Sequence, residues 1–344
     1  MESSVGTPIA VLFVHGVEVR DPNYCAAAIG RLQREFVKNT GGQEGASNAL
    51  VIEPAYWVPV VAGHEDRLLQ HTFDARTKSY YQVLDRWVAR VDAGSALALA
   101  PLAATGLLRT VPGITKMDFP TLRWLVTYFV GDAVAYQVTP SDSRVYDAIH
   151  AKIDVALHRL AKRAGPEAPL CIVAHSLGTV IVSDYVWDQQ RQAGRLKRSP
   201  GPSVSRQRAT PLERCQTLAF LYTLGCPIPL WTLRYPDFGE PIEFPVRTLT
   251  DHHRGLSPEW VNFYDRDDIV AYPLRGLSPK YSAAISEDRA VGVGPPMMRK
   301  TPLAHLWYWN DSSVIDPIAA SLAAAWKSMQ KSPALAYGNG AGVP

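Results

Sequence analysis

The stretch "CIVAHSLGTV", residues 171–180, decides the fold that this sequence predicts. Its first half is an apolar, β-branched run typical of a buried strand, and the residues after it have the pattern of a helix. Ser176 lies between the two, with the small residues Ala174 and Gly178 two positions away on either side. A serine in a tight strand-to-helix turn, flanked by small residues, is typical of a nucleophile elbow, which exposes the hydroxyl above the sheet edge.

Strand-like and helix-like segments alternate on both sides of this turn. The predicted strands lie within 9–16, 48–57, 168–175, 215–225 and 260–265. The predicted helices are 24–39, 142–165, 178–192 and 314–330. This alternation predicts an α/β fold, with a mostly parallel sheet covered by helices on both faces.

Composition favours one large globular domain over residues 1–344. Hydrophobic residues make up 47% of the chain, which is enough for a sizeable core, and the formal net charge of +3 is too small to indicate nucleic-acid binding. The four cysteines are scattered, without zinc-type spacing, so we expect no metal site. Cys171 and Cys226 lie in strand-like segments and are expected to be small buried residues, as suits a reducing compartment. Because the N-terminus has no basic region followed by a long apolar run, we expect no signal peptide and a cytoplasmic protein.

Three segments depart from the core pattern. Residues 58–138 form a long insertion between core strands, interpreted as a helical cap or lid, and its uncharged part, 93–108, is too short and too rich in Pro and Gly for a typical membrane span. We expect residues 93–108 to form a buried hairpin or a lid hairpin. The alternatives are an interfacial membrane contact and a true membrane span. Residues 191–214 form a basic loop, and residues 331–344 are predicted to be a disordered tail. The segments expected to make a peripheral membrane contact, if the protein makes one, are 93–138 and 191–214.

A serine that transfers acyl groups needs an oxyanion hole, a base and an acid that orients the base. The backbone N–H of Leu177, at the start of the predicted helix, is one candidate oxyanion donor. The other is the N–H of Val17, because Gly16 permits a sharp turn after the first strand. His15 is a weaker candidate for the base, since a histidine in that turn is more often a hydrogen-bonded scaffold group.

Chain order selects the base among nine histidines. Where the nucleophile lies in a strand-to-helix turn of this kind, the acid and then the histidine follow it along the chain. His305 lies after all the predicted strands and before the last helix. The alternative is that His305 merely packs among aromatic residues of its loop. The histidines set aside are His64, His71, His150, His158, His175, His252 and His253.

The acid is expected just beyond the fifth strand. That region offers Asp265, Asp267 and Asp268. Asp268 is favoured because an apolar pair follows it and can return the loop to the core, but three acids in four residues leave the assignment open among them.

Five blocks of this sequence together resemble the bacterial lipase and esterase branch of the α/β-hydrolase superfamily. They are "FVHGV", "AHSLGTVIVSDY", "TLGCPIPLW", "NFYDRDDIVAYPL" and "AHLWYWND". The resemblance implies Ser176 as nucleophile, His305 as base, Asp268 as its acid, and the amides of Val17 and Leu177 as oxyanion donors. Ala174 replaces the commoner glycine, Cys226 stands where relatives often have serine, and the first two strands of the full fold are not found.

The expected activity is therefore hydrolysis of carboxylic esters with apolar acyl groups, through an acyl-enzyme and without metal or organic cofactor. The expected substrates are small-molecule or lipid esters. The same residues would serve a thioesterase, an amidase or a phospholipase, because the fold does not choose among acyl donors. In a different class, the chain could be a non-catalytic binding or membrane-tethering module of hydrolase fold. The sequence does not predict an oligomeric state.

Overall fold

The structure is a computed structural model. The residues it describes are 7–17, 19, 21–72, 130–138, 142–194, 209–295 and 302–331. The centre of the predicted insertion, the middle of the basic loop and nearly all of the predicted tail lie outside the described residues.

The described residues contain a six-stranded sheet in which every pair of neighbouring strands is parallel. The strands are β1 (Ile9–Val14), β2 (Leu50–Ala55), β3 (Leu170–His175), β4 (Leu218–Leu224), β5 (Glu259–Asp265) and β6 (Glu287–Val291). Their spatial order is β2-β1-β3-β4-β5-β6. The chain is thus of the α/β class, with helices around a parallel sheet.

Helices connect these strands. They are α1 (Ala26–Asn39), α2 (Pro59–Thr72), α3 (Arg144–Ala164), α4 (Leu177–Gly194), α5 (Ile228–Thr232), α6 (Leu249–His252), α7 (Pro279–Ala284) and α8 (Ser312–Lys331). Residues 130–136 are also helical, and short 3-10 turns occupy 46–48, 236–238, 302–306 and 308–310. The four predicted helices are therefore present within two residues of their expected bounds, and α8 includes residue 331, which was assigned to the tail.

The core forms where apolar strands meet apolar helix faces. Every residue of β1, β3 and β4 is buried, as expected for strands covered on both sides. On one side, α1 packs against α8: the rings of Phe36 and Trp326 lie 6.0 Å apart, and Arg31 donates two hydrogen bonds to Asp316. Right-handed crossovers are expected to place α3 and α4 on the opposite face from α1.

The sixth strand, β6, was not predicted. Its sequence, "EDRAV", has three charged residues and no apolar run, and its side chains are mostly half-buried. β6 lies at the edge of the sheet, where charged side chains are common because they discourage pairing with other molecules. Hydrophobic patterning therefore misses it for a physical reason.

The strand order reverses beside β1. From β1 the chain crosses to β2 on one side, and from β2 it returns past β1 to β3 on the other. In open parallel sheets such a reversal opens a crevice at the carboxyl ends of the strands, where ligands commonly bind. The residues that follow β1 and β3, including Ser176, lie at this crevice.

Candidate active site

Ser176 occupies a strained turn between β3 and α4. Its φ is 54°, the left-handed region that a non-glycine residue rarely adopts. Its N–H still continues the sheet by donating to the carbonyl of Leu224 at 2.9 Å, and its carbonyl accepts hydrogen bonds from the N–H and hydroxyl of Thr179. Such a backbone conformation costs on the order of 1–3 kcal/mol and persists only where the surroundings hold it, which makes it characteristic of functional sites.

Two glycines allow the chain to pack closely around this serine. A Cβ at Gly16 would overlap Cβ of Ser176, and a Cβ at Gly178 would lie 2.5 Å from the carbonyl oxygen of His15 and 2.6 Å from that of Val14. Neither position can carry a larger residue without movement of the backbone. The glycines thus bring the end of β1 and the first turn of α4 against the serine.

His305 contacts both of its predicted partners. It lies in the 3-10 turn 302–306, and its Nε2 is 2.7 Å from Oγ of Ser176, while its Nδ1 is 2.7 Å from Oδ2 of Asp268. Because a carboxylate only accepts hydrogen bonds, Nδ1 carries the proton, and Nε2 can accept the proton of the serine hydroxyl. The structure thus brings together the three side chains selected from the sequence, although 129 residues separate Ser176 from His305.

Asp268 is held as a buried carboxylate. Burial alone would raise its pKa, but hydrogen bonds from His305, from the N–H of Val270 at 3.0 Å and from the hydroxyl of Tyr308 at 3.0 Å lower the pKa below its usual value. The side chain therefore stays charged while fully enclosed, which suits it to orient the imidazole and to stabilise its protonated form.

The two neighbouring acids do different things. Asp265 is buried at the end of β5, where its carboxylate accepts hydrogen bonds from the N–H groups of Val293 and Asp267. Asp267 is exposed. Neither side chain has a hydrogen bond with His305 among the described residues, so the geometry favours Asp268.

His15 is a fixed part of the turn after β1. Its Nδ1 is 2.7 Å from the carbonyl oxygen of Gly16, its Nε2 accepts a hydrogen bond from the N–H of Trp57 at 3.1 Å, and its ring stacks on that indole at 4.8 Å. Burial lowers the pKa of His15 to about 3, so the ring is neutral with its proton on Nδ1. The Gly16 carbonyl and the Val17 N–H belong to one trans peptide, in which C=O and N–H point in opposite directions. Because the carbonyl points toward the His15 ring, the Val17 N–H points away from it.

Leu177 is the first residue of α4, and its N–H is one of the four at a helix start that have no acceptor within the helix. The positive end of the helix dipole lies at the same place. The amides of Leu177 and Val17 therefore belong to the two turns that meet at Ser176.

His175, set aside in the sequence because it adjoins the serine, contacts His305. Its Nε2 is 2.8 Å from the backbone carbonyl oxygen of His305, and the two rings lie 4.9 Å apart. Burial, with a smaller contribution from His305, lowers the pKa of His175 to about 3, so it is a neutral donor. It helps to fix the loop that carries His305. Because 130 residues separate His175 from His305, no local sequence pattern indicates this contact.

Cys226 lies beside the site without joining the three side chains. It is completely buried, and burial raises the pKa of its thiol to about 12 although the Thr179 hydroxyl contacts it. A thiol protonated at all ordinary pH values is a poor nucleophile. Cys226 thus has the environment of a packing residue.

No protein-family model, curated protein or solved structure matches this chain. Over the described ranges, no His, Cys, Asp and Glu side chains gather in a group of three or more that could hold a metal ion. None of the helices in those ranges is both long enough and apolar enough to cross a bilayer.

Proposed function

We propose that this chain is a serine hydrolase of carboxylic esters with the α/β-hydrolase fold, of the lipase and esterase kind. The observation that carries the proposal is the continuous hydrogen-bonded line from Oγ of Ser176 through His305 to Asp268, with 2.7 Å at each step. The strained turn at Ser176 and the parallel sheet beneath it support the same proposal. His15, the weaker candidate for the base, has its ring nitrogens 2.7 Å from the Gly16 carbonyl oxygen and 3.1 Å from the Trp57 amide nitrogen instead.

In the first step, Ser176 attacks the carbonyl carbon of the ester. Nε2 of His305 takes the hydroxyl proton as the new C–O bond forms, and the carbonyl oxygen acquires the negative charge. The N–H groups of Val17 and Leu177 stabilise that charge, while Asp268 stabilises the protonated imidazole. When the tetrahedral intermediate collapses, His305 gives its proton to the departing alcohol, and an acyl-serine remains.

In the second step, water replaces the alcohol. His305 removes a proton from the water, whose oxygen attacks the acyl carbon of the Ser176 ester. Collapse of this second intermediate breaks the bond to Ser176, the proton returns to Oγ, and the carboxylic acid leaves. All the groups used are side chains and backbone amides of this chain.

Apolar acyl groups are the proposed substrates because apolar side chains are exposed in the segments that follow β4 and β5. The exposed large side chains of these segments are Leu230, Leu233, Tyr235, Phe238 and Ile269. The segments begin at the carboxyl edge of the sheet, where Asp268 also lies. Exposed apolar surface beside a catalytic crevice favours an apolar partner over a charged one.

The proposal includes a cap formed by residues 58–138. The described start of this range, α2, follows the carboxyl end of β2 and so leaves the sheet at the edge that carries Ser176. A cap there would supply part of the acyl pocket.

The test compares Ser176→Ala with the wild type on p-nitrophenyl esters of increasing acyl length. We expect kcat to fall by about 10⁴-fold or more, with KM changed little, because the variant keeps the site but loses the nucleophile. Ser257→Ala, which changes an exposed serine just before β5, is the matched control and should keep the wild-type rate. Equal rates for wild type and Ser176→Ala would refute the proposal. Turnover of acyl-thioesters alone would replace the ester substrate with a thioester.

A further inference from the structure

Tyr308 is a buried residue that the proposed reaction does not use. It belongs to the 3-10 turn 308–310, three residues after His305, and its side chain is fully enclosed. Its hydroxyl accepts a hydrogen bond from the N–H of Asp265 at 2.7 Å and donates one to Oδ2 of Asp268 at 3.0 Å. This places a phenol directly behind the acid of the proposed triad.

The direction of these two hydrogen bonds is determined by their partners. A backbone N–H can only donate, so the N–H of Asp265 bonds to a lone pair of the phenol oxygen. The phenol proton is therefore free to be donated to the carboxylate of Asp268. Burial, together with the charge of Asp268, raises the pKa of the Tyr308 phenol well above its ordinary value. The group is therefore a permanent donor.

Tyr308 and His305 share one carboxylate oxygen. Oδ2 of Asp268 lies 2.7 Å from Nδ1 of the imidazole and 3.0 Å from the phenol, while Oδ1 accepts the N–H of Val270. A donor at Oδ2 withdraws electron density from the atom that faces the imidazole. It also restrains the carboxylate from rotating away from His305.

We propose that Tyr308 is a positioning residue of the hydrolase, which holds Oδ2 of Asp268 against His305 and moderates its negative charge. This inference rests on the proposed function and extends it. With that charge moderated, Asp268 attracts a positive charge on the imidazole less strongly. His175 also packs on the imidazole, at 4.9 Å between ring centroids, but burial keeps it neutral. We therefore expect loss of the Tyr308 hydroxyl to change the pH profile of activity as well as its rate.

Packing alone is the competing explanation, because the ring of Tyr308 also fills space. It lies close to Gly225, where an added Cβ would be 2.8 Å from Cε2 of the ring, and its centroid is 5.6 Å from that of His175. Tyr308→Phe keeps this ring and removes only the hydroxyl. The variant therefore separates the two hydrogen bonds of the hydroxyl from the packing of the ring.

The experiment measures kcat and KM for p-nitrophenyl ester hydrolysis between pH 5 and 9, in wild type and Tyr308→Phe. We expect kcat to fall about tenfold at neutral pH with KM unchanged, as for loss of a hydrogen bond to a charged group. We also expect the acidic limb of the profile to move to higher pH by about half a unit, because the unmoderated carboxylate favours the protonated imidazole.

Tyr222→Phe is the matched control. Tyr222 is also buried, and its hydroxyl donates to the carboxylate of Glu259, which lies at the opposite end of β5 from the Asp268 loop. Deleting this hydroxyl should leave the position of the acidic limb and kcat at their wild-type values.

Incorporating 3-fluorotyrosine at position 308 gives a second, independent variant that retains every hydrogen bond. Its phenol is a stronger donor, so the acidic limb should move to lower pH, opposite to Tyr308→Phe. A fall in kcat without movement of the limb in either variant would show a packing role and overturn the inference, as would wild-type behaviour in both. Wild-type turnover equal to that of Ser176→Ala would instead overturn the proposed function, and the inference with it.

Discussion

Asp268 differs from its two neighbouring acids in what it contacts. It is enclosed and bonded to His305, whereas Asp267 is exposed and Asp265 is bonded to backbone N–H groups. The sequence favoured Asp268 but left Asp265 and Asp267 open, because the choice depends on where the loop after β5 turns back.

At the residue scale we expect Asp268→Asn to lower kcat by about 10⁴-fold with little change in KM. The amide keeps the shape of the side chain, but it loses the charge and can hold the imidazole in the wrong tautomer. Asp267→Asn makes the same change one residue away on the exposed side of the loop and should retain wild-type kcat. Steady-state kinetics on one p-nitrophenyl ester check both variants. A large loss in Asp267→Asn with an active Asp268→Asn would show that the acid is misassigned.

Ser176, His305 and the acid could be predicted because each is indicated by a pattern in the sequence itself. Ser176 is marked by its small neighbours, and His305 and the acid by their order along the chain. His175 and Tyr308 carry no such signal. Their roles come from contacts with His305 and Asp268 that only the folded chain creates.

At the scale of elements, the contact between β1 and α4 assembles the site. Gly178, in the first turn of α4, lies directly against the carbonyl oxygens of Val14 and His15. This contact brings the N–H of Leu177 and the turn that contains Val17 to the same serine. Both N–H groups of the proposed oxyanion hole therefore depend on this one close approach.

We expect Gly178→Ala to lower the free energy of unfolding by about 2 kcal/mol and to reduce kcat, because the added methyl group must push α4 away from β1. Gly63→Ala is the matched control, since Gly63 is an exposed position in α2 where an added Cβ meets nothing within 4 Å. That change should stabilise the protein by about 0.5 to 1 kcal/mol, as expected for alanine in place of glycine in a helix. Urea unfolding measures both. An unchanged unfolding free energy and kcat in Gly178→Ala would contradict the close approach.

The elements predicted correctly are those with strong apolar patterns. β1, β3 and β4 are enclosed on both sides and consist almost wholly of apolar residues, so their runs are visible in the sequence. β6 and the short helices α6 and α7 have no such run, and the apolar α5, "IPLWT", has only five residues, too few to show helical periodicity. Their positions depend on tertiary contacts, such as the hydrogen bonds from the N–H groups of Leu274 and Arg275 to Asp288 in β6.

At the scale of the whole molecule, the buried carboxylate of Asp184, which is not part of the proposed triad, makes the free energy of unfolding depend on pH. Asp184, in α4, accepts a hydrogen bond from Tyr136, whose hydroxyl is also 3.0 Å from Nε2 of His150. Burial raises the pKa of Asp184 to about 6, and the charge of Asp188 adds to this, while Tyr136 and Arg234 oppose it. The folded state therefore binds a proton at Asp184 more tightly than the unfolded chain does.

We expect Asp184→Asn to be more stable than wild type by about 1 to 2 kcal/mol at pH 8, with the difference shrinking toward pH 4. The raised pKa means that the ionised group destabilises the fold, and this cost develops as pH rises from about 4 to 6. Asp251→Asn, at an exposed position in α6, should differ little from wild type at both pH values. Thermal unfolding at the two pH values provides the measurement. A variant that is less stable than wild type at pH 8 would show that the ionised carboxylate is favourably paired.

The central claim, that Ser176 is a nucleophile activated by His305, is tested most directly by covalent labelling. The folded protein is treated with a fluorophosphonate, the intact mass is measured, and the modified peptide is sequenced. We expect one adduct per chain on Ser176, with labelling slowed by orders of magnitude in His305→Ala, because the adduct forms only on an activated hydroxyl. A folded wild-type protein that forms no adduct, or forms it on another residue, would contradict the account.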